Sequence, residues 1–157
     1  MGGSKDSSYL KGWRETMIKS GRAVLSLDSY AHGQRAYRSE YEPPVVWFHQ
    51  KNQVYRFRDL MMQTVIDYRR AMDYLETRKE IDREKIGLIG ISLGAFQGGV
   101  LAGVDERVKV PVLIVGGAGL MDEVNPATFA PYISPRPPTI TTAVTHTAIN
   151  FTFPFKT

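Results

Sequence analysis

The sequence contains no cysteine, which rules out a disulfide framework and any thiolate metal site. Histidine is scarce, with three in the chain at His32, His49 and His146. Carboxylates stop at Glu123, so everything after it lacks Asp and Glu. No apolar run approaches the roughly 20 residues that a membrane-spanning helix needs. The opening MGGSKDSSYL has no apolar stretch of the kind a secretory signal carries. The net charge of +4 comes from 20 basic and 16 acidic residues that alternate along the chain. Arg69, Arg70, Arg78 and Lys79, for example, lie beside Asp67, Asp73, Glu76 and Glu80. Such alternation describes a solvated helix face rather than a nucleic-acid footprint. The expectation is a cytoplasmic protein with no nucleic-acid or membrane partner, no metal and no cofactor.

What is present is ordinary in bulk and specific in one place. With 157 residues, 43% apolar and 23% charged, the chain can fold as one domain around a core of useful size. The specific place is KIGLIGISLGAFQGG at 85–99. It begins as a short β-branched run fit for a buried strand and passes into small residues that can open a helix. Between them Ser92 stands two residues from Gly90 and two from Gly94, the G-x-S-x-G spacing of a nucleophile elbow. The spacing predicts that larger side chains at either glycine would collide with neighbouring backbone, and that the turn lifts the Ser92 hydroxyl clear of the sheet edge. The Leu93 amide and the helix N-terminus would then favour negative charge beside it. The plainer alternative is a βα turn whose serine only caps the helix.

Around this stretch the pattern alternates. Leu10, Trp13 and Met17 fall at helical spacing, and Gly21 is placed to end that helix. Residues 22–28 read as a strand with an acidic end. Residues 30–52 have no sustained period and contain Pro43 and Pro44; the Val45, Val46, Trp47 and Phe48 cluster reads as folding onto the core or lining a pocket. In 59–78, Met61, Val65, Tyr68, Met72 and Leu75 recur at steps of four, three, four and three, a core-facing helical stripe. A further apolar strand is expected over 108–115. Strand, helix, strand, helix, strand implies a mostly parallel α/β sheet covered on both faces.

Three runs, VLSLDSYAHGQR at 24–35, the 58–95 segment ending in IGLIGISLGA, and RVKVPVLIVGGAG at 107–119, resemble an α/β-hydrolase. The resemblance is to the esterase-like branch with dienelactone-hydrolase-like and acetyl-xylan-esterase-like members. It implies a partial α/β-hydrolase core over 1–138, with 139–157 as a Thr-rich tail, lacking the N-terminal strands and the C-terminal strand and histidine region. It also implies that Ser92 is the nucleophile toward a small-molecule ester and that Leu93, with Gly2 and Gly3, forms the oxyanion hole. His32-Gly33 resembles the family's structural turn after a strand. A missing strand between 22–28 and the Ser92 strand implies shifted pairing or a marginal fold.

In this fold the chain order is serine, acid, histidine. After Ser92 the candidates are Asp105, Glu106, Asp122 and Glu123, with His146 as the single histidine. Where the family's acid is expected stands Thr147, so the triad is incomplete unless Asp122 and His146 substitute. Two other readings stay open: a non-catalytic α/β-hydrolase-like partner module, and half of a nucleotide-binding fold. The second has no G-x-G-x-x-G to support it.

Overall fold

The computed structural model describes residues 4–36, 53–133 and 139–141. It divides into two compact units, Met1–Thr64 and Val65–Thr157, with the boundary inside one helix. The elements are α1 (Ser8–Lys19), α2 (Val54–Glu76), β1 (Gly87–Ile91), α3 (Leu93–Val104), β2 (Val110–Ile114), α4 (Pro126–Phe129) and β3 (Thr139–Thr141), joined in places by single 3-10 turns.

In the first unit, α1 ends as its sequence predicts. Gly21, at φ +78°, donates to the Ile18 carbonyl and Arg22 donates to the Met17 carbonyl, the paired bonds of a Schellman motif. The strand expected over 22–28 does not form: the segment joins no ladder, and Val24 and Leu25 are exposed. A strand exists by its neighbour, and among the described residues no segment pairs with this one. The shifted pairing that the resemblance allowed is therefore not seen.

The end of this segment is tightly organised around Asp28, which is 5% exposed. Its carboxylate accepts from the Lys5 amide at 2.6 Å, the Lys5 ammonium at 3.1 Å and the Gln34 amide at 3.0 Å. Gly33 is the residue that permits this. It sits at φ +52°, and a Cβ there would lie 2.4 Å from the Asp28 carboxyl carbon. His32 is buried and its Nδ1 lies 3.0 Å from the Tyr30 carbonyl. The His32-Gly33 turn is therefore loop geometry, as its resemblance implied.

Burial works against ionisation of Asp28, but the Lys5 and Gln34 amides and the Lys5 ammonium outweigh it. They hold the carboxyl below the ordinary 3.8. A carboxyl depressed on folding contributes stability above its unfolded value and loses it as the pH falls through the folded one. Asp28→Asn is thus expected to be less stable than the parent at neutral pH, with the gap closing as the pH drops below about 4. Urea midpoints of the two proteins at stepped pH check this. A gap that stays constant into acid would contradict it.

The second unit is an α/β layer. β1, β2 and β3 form a three-stranded parallel sheet in that order. Gly87 to Ile91 pair in register with Val110 to Ile114, and Val112 to Ile114 with Thr139 to Thr141. The first three residues of the expected Thr-rich tail are thus a strand. α3 crosses one face of the sheet, where Gly98 packs against Leu88 and Leu113. The second-unit part of α2 supplies Val65 and Met72 to a cluster with Val100, Leu101, Ala102, Val108 and Ile133. The helical stripe read from the sequence is therefore core, although the helix begins at Val54, ahead of the expected Asp59. The other sheet face is not fully covered: Ile89 and Val110 are 41% and 42% exposed.

A second buried carboxylate closes this unit. Asp105 accepts from the Arg107 amide at 3.1 Å, from Arg107 Nε at 2.9 Å and from the other guanidinium arm at 2.7 Å. Arg69 adds a longer bond at 3.3 Å. Arg107 also reaches Asp73 at 2.7 Å and Glu76 at 3.2 Å, tying the turn after α3 to α2.

Candidate functional site

The Gly90-Ile91-Ser92-Leu93-Gly94 stretch forms the junction of β1 and α3. Ser92 is the N-cap residue, at φ +53° and ψ −118°. This lies outside the regions that an L-residue occupies easily, and such positions cost on the order of 1–3 kcal/mol. Hydrogen bonds on both sides of the residue hold it there. Its amide donates to the Ile114 carbonyl at 2.9 Å, and its carbonyl accepts from Ala95 at 2.8 Å and Phe96 at 3.2 Å.

The side chain, by contrast, is exposed and makes no capping bond. Ser7, the N-cap of α1, likewise makes no side-chain capping bond, whereas two other caps do. Asp82 accepts from the Glu84 amide at 3.0 Å, and Asn125 from the Ala127 amide at 3.3 Å. What sets Ser92 apart from the other serine cap, Ser7, is its backbone, at φ +53° against −58°. The hydroxyl is presented outward at the carboxyl end of a parallel sheet, where ligands of α/β folds bind.

The two glycines are not equivalent. A Cβ on Gly90 would come 2.2 Å from the Gly94 carbonyl oxygen and 2.9 Å from the Ala95 nitrogen. At Gly94 nothing stands within 4 Å. The expected collision is real before the serine and absent after it. The reason is direction: a Cβ at Gly90 points into the first turn of α3, while Gly94 is already part of that turn. Leu93 and Gly94 supply the first amides of α3, which no preceding helical carbonyl can reach. Such amides favour negative charge placed near them.

Asp122, itself exposed, opens the 3-10 turn Asp122–Val124. No hydrogen bond found among the described residues joins it to Ser92. His146, Gly2, Gly3, His49 and the Trp47-Phe48 cluster lie outside the described residues. Among the described residues no group of three His, Asp or Glu could hold a metal ion, and no helix is long and apolar enough to cross a membrane. A depression of about 200 Å³ is lined by Ile66, Arg69, Arg70, Asp73 and Arg107. It belongs to the Asp105–Arg107 network and includes no residue of the elbow.

Sequence reasoning undervalued Asp28 and the Asp105–Arg107 pair, which it read as a strand end and a turn. A carboxylate shortly before His-Gly was the available signal for the first. Nothing in a one-dimensional pattern signals the second, because its partners Arg69, Asp73 and Glu76 come from another helix.

Comparison with known proteins gives two matches. The family model for the BAAT / acyl-CoA thioester hydrolase C-terminal domain matches residues 66–150, more than half of the chain. The Bacillus subtilis (strain 168) protein named "Putative hydrolase YtaP" is 27% identical over 108 residues, which are 68% of this chain and 34% of that protein. The chain thus spans about a third of the length of this curated relative. No solved structure gives a significant match.

Proposed function

We propose, for a chain that belongs to the BAAT / acyl-CoA thioester hydrolase C-terminal family, that Ser92 is the nucleophile of a serine hydrolase acting on a small acyl ester or thioester. The observation that carries this is the Ser92 backbone at φ +53° and ψ −118° together with an exposed hydroxyl that caps nothing. A strained position with its side chain left uncommitted is how functional sites differ from ordinary turns. The family name widens the substrate class from oxygen esters to thioesters. The dienelactone-hydrolase-like or acetyl-xylan-esterase-like branch is the narrower form of the same proposal.

In the reaction, Ser92 Oγ bonds to the acyl carbon, the carbonyl oxygen takes negative charge near the Leu93 amide, and the alcohol or thiol leaves with a proton. Water then releases the acid. Turnover by this chain alone is expected to be weak. Asp122 and His146 are the substitute acid and base proposed here, and an activated serine needs its base within about 2.6–3.2 Å. Losing triad members leaves only the residual catalysis of binding and the oxyanion donors, typically about 10³–10⁴ over water.

A second reading, a non-catalytic partner module, is favoured by the exposed apolar face around Ile89 and Val110. Hydrolysis of p-nitrophenyl acetate by the chain, beside Ser92→Ala, separates the two. Slow release of p-nitrophenolate that the substitution removes is the expected result. Release that Ser92→Ala leaves unchanged would favour the partner module.

A further inference from the structure

Ser92 has a counterpart on the neighbouring strand. The ladder between β1 and β2 ends at the pair Ile91 and Ile114, which makes Ser92 and Val115 the next residues in register. Both leave the sheet through a positive φ, 53° at Ser92 and 56° at Val115. For a β-branched residue this conformation is a true outlier. The turn is pinned to the elbow on either side of Val115. The Ile114 carbonyl accepts the Ser92 amide at 2.9 Å. Gly116 lies so close to α3 that a Cβ there would come 2.8 Å from the Ala95 Cβ.

Val115 is thus the residue between two attachments to the elbow, and its side chain remains 41% exposed at the carboxyl ends of the strands. Glycine would take the same positive φ with little strain. What valine adds there is an apolar, branched side chain at the end of the strand that pairs with the one leading to Ser92.

We infer that Val115 is a specificity-determining residue beside Ser92, its isopropyl group limiting branching next to the carbonyl of the acyl group that Ser92 attacks. This rests on the reading of Ser92 as the nucleophile. The step concerned is acylation: Ser92 Oγ bonds to the acyl carbon, the bond from that carbon to the p-nitrophenoxy oxygen breaks, p-nitrophenolate leaves, and the hydroxyl proton passes to solvent.

The test compares Ser92 acylation by p-nitrophenyl acetate and by the branched p-nitrophenyl pivalate, read by intact mass with peptide mapping. Val115→Ala should raise the pivalate-to-acetate rate ratio by about tenfold, and Val115→Ile should lower it, as expected for methyl groups in an apolar pocket. Acylation of Ser92 with a ratio that stays within about twofold in Val115→Ala and Val115→Ile would overturn the inference and leave the nucleophile standing. No acylation of Ser92 in any of these proteins would overturn both.

Discussion

Gly90→Ala is expected to destabilise the protein by about 3 kcal/mol, the upper part of the range for forcing a methyl group into a packed position. The new Cβ would meet the Gly94 carbonyl oxygen at 2.2 Å and the Ala95 nitrogen at 2.9 Å. Neither atom can retreat, because both belong to the first turn of α3 and Ala95 already donates to the Ser92 carbonyl at 2.8 Å. Relief would require moving β1 away from α3 or flattening the Ser92 turn. Gly94→Ala is the matched control. With nothing within 4 Å of its Cβ, it should be neutral or stabilise the helix by up to about 1 kcal/mol. Urea denaturation of both variants measures the contrast. Equal losses would mean that the glycines serve the helix generally rather than the elbow.

The second large effect is expected at the Asp105–Arg107 pair. Arg107→Ala should cost about 3 kcal/mol, the scale for removing one partner of a buried ion pair. The Asp105 side chain is 5% exposed and accepts from Arg107 at 2.7 Å and 2.9 Å, against 3.3 Å from Arg69. Burial alone would raise the Asp105 carboxyl, and the Arg107 guanidinium and amide more than reverse that, holding it below the ordinary 3.8. Arg107 is raised in turn by Asp105 and Asp73, against its own partial burial, and stays charged at any working pH. The sign follows from Asp105: its contribution is complete above its unfolded value and is lost as the pH falls through the depressed one. The parent's advantage over Arg107→Ala should therefore be large at neutral pH and shrink below about pH 4. Thermal unfolding at stepped pH reads this. A variant as stable as the parent at pH 7 would show that the network is ornamental.

Local chemistry was legible in the sequence, and long-range pairing was not. The Met61, Val65, Tyr68, Met72 and Leu75 stripe gave α2 because a helix announces its face in its own spacing. Gly21 gave the end of α1 for the same reason. Ser92 was legible because the elbow's constraints act within five residues. The segment 22–28 misled because a short apolar run describes what a strand accepts, while a strand forms only where a neighbour completes its hydrogen bonds. The role of Val115 was invisible. Its importance comes from being in register with Ser92, and register joins residues far apart in the chain.

The same distinction separates the two halves of the proposed site. The serine and its amide donors lie on one continuous stretch, held at the Ser92 amide by the Ile114 carbonyl of β2. An acid and a base must be delivered by distant segments, and no spacing in this chain encodes where Asp122 or His146 arrives.

Treatment of the whole chain with a fluorophosphonate probe, beside Ser92→Ala, tests the nucleophile most directly, because such probes bond to an activated serine even where turnover is slow. A single adduct that maps to Ser92 and is missing from Ser92→Ala is the expected outcome. No adduct on the parent, or an adduct that persists in Ser92→Ala, would mean that the elbow carries a serine without a nucleophile's chemistry.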